Sequence, residues 1–243
     1  MLISAVFLPG APALVPEVSG PGVGELEPIR SAVAQAVAEQ AALSGSWWAV
    51  GSDDAPAPAP AAESAVPATG SFGGFGVDRR VALVDDPGAP VGHLPTAMLV
   101  AGWVRELATR RPAVTPVVVT PGADGDQCSR RGAQLAAEIA AAPGDAALLV
   151  VGDGAIHLSE RAPGGGREPA AVELQEQIDA ALASGDPAAL RALPVESCDR
   201  WGASGWAPWQ VAAACAPGPA TVRVGYSGAP FGVGYNVVTW RFR

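Results

Sequence analysis

No lysine occurs anywhere in the chain, all fifteen basic residues being arginine, and this excludes Schiff-base chemistry at a lysine amine. Histidine is nearly as scarce: His93 and His157 are the two in 243 residues. The three cysteines, Cys128, Cys198 and Cys215, are odd in number and form no CxxC pair, which argues against a disulfide framework and a zinc knuckle. Buried reduced thiols are expected. HExxH, GxSxG and a glycine-rich loop ending in GKS or GKT are all missing, so the zincin, nucleophile-elbow and phosphate-loop readings fall away. No apolar run approaches the roughly 20 residues that cross a bilayer. The apolar start "MLISAVFLPGAPALVPEV" has no basic leader region and no small-residue cleavage site, so it reads as a first strand of a cytoplasmic protein with no membrane partner. With a net charge of -9 the chain lacks the basic face that displaces counterions, and nucleic acid is excluded as a partner.

What the chain does have is alternation. "LISAVFL" (2–8), "WWAVG" (47–51), "RVALVD" (80–85), "VTPVVVT" (114–120) and "AALLVVG" (146–152) are short, β-branched or aromatic, and bounded by Gly, Pro or Asp, as buried strands are. Between them, 24–43, 94–110 and 129–142 carry apolar residues at helical spacing. Further helices are expected at 168–186, from the Asp-Pro start at 186, and at 206–216, followed by strands at 220–227 and 232–242 joined by a hairpin or short crossover. The pattern predicts an α/β protein, an α/β/α sandwich around a central mixed, largely parallel sheet. Residues 1–243 read as one domain. The run at about 52–71, dominated by Ala, Pro and Ser, reads as a flexible loop inside it.

In such sheets ligands gather beyond the carboxyl ends of the strands, which directs attention to "GDGAIHLSERAPGGG" (152–166). Gly152 and Gly154 would let backbone amides approach a ligand, and Asp153 and His157 offer a carboxylate and a titrating imidazole. The same stretch also reads as a Gly-rich turn with a solvated histidine. His93, just before a helix, reads as a residue contacting that helix's first turn. Two histidines and a carboxylate would suit non-haem iron, so His93 and His157 with Asp153 or Glu17 form an alternative metal set. Trp201, Trp206 and Trp209 read either as an aromatic-lined cleft or as core. Ser204, in "GASGW", reads as part of a turn.

Four stretches together, "PGAPALVPEVSG" (9–20), "LLVVGDGAIHLSERAPGG" (148–165), "WAPWQVAAACA" (206–216) and "APFGVGYNVVTW" (229–240), resemble the actinobacterial branch of proteins similar to the B subunit of class III extradiol ring-cleavage dioxygenases. The Memo proteins share that fold. The resemblance implies a ferrous centre held by two His and one Glu, a catechol substrate, and a further His as acid/base. The family's "HPPLLVPE" meets "GAPALVPE" here, which puts Gly10 at the first ligand position. After the second strand "VGSDDAPAP" contains no His, and Gly205 stands at the Glu position. His157 stands where the acid/base is expected.

The resemblance therefore implies an extradiol-dioxygenase-like protein without the iron site and without a cofactor. Its cleft, lined by Gly10, Gly152, Asp153, Gly154, His157 and Gly205, would bind a small aromatic or anionic molecule. The alternative is an oxidoreductase with a relocated Fe2+ site built from His93, His157 and Asp153. A third expectation is a homo-oligomer formed through the last strand or the Trp-rich helix.

Overall fold

β-branched and aromatic residues crowd into short runs here because both faces of a central parallel strand are covered, leaving no polar face to alternate with. The computed structural model describes residues 1–20, 23–52, 66–86, 88–120 and 122–242. Its strands are β1 (Leu2–Leu8), β2 (Ser46–Ser52), β3 (Thr69–Ser71), β4 (Arg80–Ala82), β5 (Ala113–Val119), β6 (Ala146–Val151), β7 (Thr221–Gly228) and β8 (Tyr235–Arg241). The helices are α1 (Pro16–Ser19), α2 (Glu27–Leu43), α3 (Thr96–Glu106), α4 (Gly125–Ala141), α5 (Pro169–Ser184), α6 (Pro187–Arg191), α7 (Val195–Arg200) and α8 (Trp206–Cys215).

Six strands form one sheet in the order β5-β2-β6-β1-β8-β7. The first four run parallel, and β8 turns antiparallel against β1 and pairs with β7 as a hairpin. Successive residues of each strand feed two different cores. Val6 and Leu8 of β1 pack with Ile29, Val33 and Val37 of α2 and with Met98 and Val104 of α3. Ala5 and Phe7 face the other way, toward Leu135 of α4, Ile178 of α5 and Trp209 of α8. The chain is thus an α/β/α sandwich around a mixed, largely parallel sheet. No helix among the described residues is long and apolar enough to cross a membrane.

Local chemistry sets the helix starts. Asp124 and Gln127 form a reciprocal capping box at α4, and Asp186 accepts from the Ala188 N–H at 2.8 Å to open α6 with Pro187 behind it. Two expectations need correction. The run 80–85 is a strand only over Arg80–Ala82, and it pairs with Thr69–Ser71 in a separate two-stranded sheet. Its continuation is stopped because the Leu83 carbonyl turns to accept from the Val114 N–H (2.9 Å) and its own N–H goes to the Ala68 carbonyl (2.7 Å). The expected loop at about 52–71 accordingly ends early, with Ser52 closing β2 and 69–71 forming β3; its middle, 53–65, lies outside the described residues. The short α7 was not expected from the sequence.

All three cysteines are buried and free. Burial, aided by the Asp124 carboxylate, pushes the Cys128 thiol up to about 11. Burial and Asp199 push Cys198 up to about 12, and burial does the same for Cys215. Each thiol is protonated at neutral pH, so none is a nucleophile. Because the folded values are raised, the unfolded chain loses these protons first, and the stabilisation present below the ordinary thiol value fades as pH rises toward about 12. The urea midpoint is expected to fall between about pH 8 and about pH 10.5, and to fall less in a Cys198→Ala/Cys215→Ala variant. An equal drop in both proteins would contradict this account.

Candidate functional site

The parallel strands β1, β2 and β6 end on the same side, and the segments leaving them enclose a cleft of about 360 Å³. Gly10 and Pro12 come from the loop after β1, Ser52 from the end of β2, Gly152 and Asp153 from the loop after β6, and Thr96 and Ala97 from the first turn of α3. Ser204 and Phe75 complete the wall. A crevice at strand ends is where an open α/β sheet binds ligands.

Asp153 knits the parts together. Its Oδ1 accepts from the Gly10 N–H at 2.8 Å, its own N–H donates to Ser204 Oγ at 3.0 Å, and its carbonyl accepts from the Gly205 N–H at 2.9 Å. Residues 143 apart in sequence are thereby joined. Ser204 accepts through its oxygen and lines the cleft, so its O–H is not used in this bond. Behind Asp153 stands Tyr235, whose phenol is pushed far above its ordinary value by burial first and by the Asp153 carboxylate second. It therefore remains a protonated donor.

The glycines divide into two kinds. A β-carbon at Gly10 would meet nothing nearer than Val151 Cγ1 at 3.6 Å, with Asp153 Oδ2 at 3.9 Å, so a side chain is accommodated there in ordinary contact. Gly152 and Gly205 are instead packing positions: a β-carbon on Gly152 would land on the Gly205 Cα, and one on Gly205 would enter the indole of Trp209. Gly154 is buried with Gln175 where a side chain would go. Of the expected cleft residues, Gly10, Gly152 and Asp153 line it; Gly154 and Gly205 lie behind it, because the Gln175 amide and the Trp209 indole fill the space where a side chain or ligand would sit.

His157 is placed elsewhere. It is the one non-glycine residue among those described with positive φ (63°), a conformation costing of order 1 kcal/mol that persists only when its surroundings hold it. Its Nδ1 lies 2.9 Å from the Gly165 carbonyl, which only accepts, so Nδ1 carries the proton. Its own carbonyl accepts from the Glu168 N–H at 2.9 Å, and Leu158 bridges to Arg167. Gly164, Gly165 and Gly166 all adopt positive φ to make this return. His157 is thus the clip that closes the 158–167 excursion, with its ring edge-on to Trp201, and does not line the cleft.

His93 is exposed before α3 and makes no cap there, the N-cap position being Pro95. Glu17 pairs with Arg79 at 3.2 Å. Among the described residues no three His, Cys, Asp or Glu side chains gather as metal ligands would, so the set of His93 and His157 with Asp153 or Glu17 does not come together. Among the described residues the cleft offers one carboxylate, already accepting from Gly10, and a few hydroxyls, and none of the imidazole nitrogens that a ferrous site of two His and one carboxylate uses, so ferrous iron does not fit these donors. Trp206 and Trp209 are core, Trp206 Nε1 donating to the Leu193 carbonyl at 3.2 Å. The residues that sequence reasoning missed are Ser52, Phe75, Thr96, Ser204 as a cleft residue, and Tyr235. For Ser52 and Thr96 the signal was their position at a strand end and a helix start; Phe75 carried none.

No family model matches the chain, and no curated protein matches it. Eighteen chains of solved structures do. One is the uncharacterized protein JW3007 from Escherichia coli K12, 13% identical, with a TM-score of 0.57 over 99% of this chain and 100% of that one. The likeness extends over the whole described chain and shows a shared α/β/α fold.

Proposed function

We propose that this protein is a relative of the class III extradiol dioxygenase B subunits that has no iron site and uses the strand-end cleft to bind a small molecule. The observation that carries the reading is the pairing of an empty ligand position with an ordered polar wall: Gly10 presents no side chain while its N–H fixes the carboxylate of Asp153 at 2.8 Å. Ser52, Thr96 and Ser204 add hydroxyls, and Phe75, 42% exposed at the cleft, adds an aromatic face. A carboxylate in the wall repels anions and accepts from donors. The favoured ligand is therefore a neutral or cationic ring compound bearing hydroxyl or amine groups, in preference to an anionic one.

The test is ligand-observed NMR with a set of such compounds, followed by titration against Gly10→Val. Since a β-carbon there meets only ordinary contacts, the variant is expected to fold with an unchanged urea midpoint and to lose at least about tenfold in affinity, or 1.4 kcal/mol. Equal affinity in wild type and Gly10→Val would show that the cleft is not the site.

A further inference from the structure

A second, smaller cavity of about 240 Å³ lies along α5, away from the strand-end cleft. Val172, Gln175, Glu176 and Asp179 line it at i, i+3, i+4 and i+7, one face of the helix. Leu158, Ala229 and Val172 make its apolar surface, and Arg167, just before the helix begins, stands at its other end. With a rise of about 1.5 Å per residue, Val172 and Asp179 alone are separated by roughly 10 Å along the groove.

Two features of the charges bear on binding. Asp179 is held by three neutral donors and, among the described residues, by no cation: Gln175 Nε2 at 2.6 Å, Asn236 Nδ2 at 2.8 Å and Ser227 Oγ at 2.8 Å. These fix the carboxylate without neutralising it. The side chains of Arg167 and Glu176, both exposed, meanwhile form no ion pair or hydrogen bond with any described residue, although both line this cavity. A lone guanidinium, a lone carboxylate and a pre-positioned carboxylate thus share one groove with an apolar floor. Exposed charges paired only with water stay open to a ligand of complementary charge.

We infer that this groove binds a small amphoteric molecule, with a carboxylate on Arg167, a methylene chain on Leu158, Val172 and Ala229, and an ammonium or guanidinium at Glu176 and Asp179. Two carboxylates against one guanidinium leave the site net negative. The complementary ligand carries one anionic and two cationic groups, as the basic amino acids do. The tail stretch "GVGYNVV" (232–238) acquires a purpose from this: Gly234 leaves room for the Gln175 amide, and Asn236 and Gln175 both position Asp179.

The experiment is a titration of the whole chain followed by amide NMR, with lysine, with 1,5-diaminopentane (which lacks the carboxylate) and with hexanoate (which lacks both amines). Lysine is expected to shift the amides of 172–179 and to bind at least tenfold more tightly than either of the other two. Arg167→Ala, an exposed position, should keep the wild-type spectrum elsewhere and lose at least tenfold in lysine affinity. Asp153→Ala should leave lysine binding unchanged, which separates this groove from the strand-end cleft. The inference is overturned if lysine leaves those amides unmoved at tens of millimolar, if 1,5-diaminopentane binds as tightly, or if Arg167→Ala binds lysine like the wild type.

Discussion

Gly205→Ala is expected to lower the stability of the protein by about 2–3 kcal/mol, a large effect for the addition of one methyl group. Its backbone is unstrained, with φ -73° and ψ -16°, so no special torsion is lost. The cost comes from space. The new methyl enters the indole of Trp209, which is 1% exposed and has nowhere to retreat, while the other side of Gly205 is occupied by the backbone of Gly152. A smaller partner should relieve it. In the cycle with Trp209→Leu, Gly205→Ala is expected to cost far less than in the wild-type background, a coupling of about 1–2 kcal/mol measured from urea midpoints. Strict additivity would show that the two residues do not compete for the same volume. By the same packing, a glutamate at 205 would need Trp209 to be rebuilt first.

Gln175→Leu is expected to cost about 2–3 kcal/mol although it preserves volume. Oε1 of Gln175 accepts from the Ala155 N–H at 2.8 Å, and Ala155 is fully buried, so leucine leaves that donor without a partner in a place water does not reach. The loss has a local signature. Ala155 follows Asp153 by two residues, so its amide should exchange with solvent much faster in the variant, and affinity in the strand-end cleft should fall as Asp153 loses its anchor. A variant as stable as wild type with the Ala155 amide still protected would show that another group holds this loop.

These glycines and amides explain where sequence reading succeeded and where it stopped. β1, β2 and β6 were legible because a central strand covered on both faces is nearly continuous in apolar residues, and the edge strand β5 because its run is rich in β-branched valine; Gly, Pro or Asp bounds each run. β3 and β4 were not, since three-residue strands carry no period and β3 follows an Ala/Pro-rich stretch. The position of Asp153 in a strand-end loop was readable from local sequence. Its partners were not: Gly10 and Ser204 reach it only because separate loops converge at one end of the sheet. Gly154 read as a ligand approach since glycine marks close backbone approach of any kind, and spacing does not say whether the neighbour is a ligand or another part of the chain; Gly205 was put in the cleft by the resemblance alone. His157 misled for a related reason, its positive φ and its bond to the Gly165 carbonyl being consequences of the 158–167 return.

The most direct test of the proposed iron-free cleft is elemental analysis of untagged protein incubated anaerobically with ferrous iron and passed through gel filtration. The account predicts iron well below one atom per chain, with no difference between wild type and Asp153→Ala. One iron per chain in the wild type, lost in Asp153→Ala, would contradict it and place a metal centre at the strand ends.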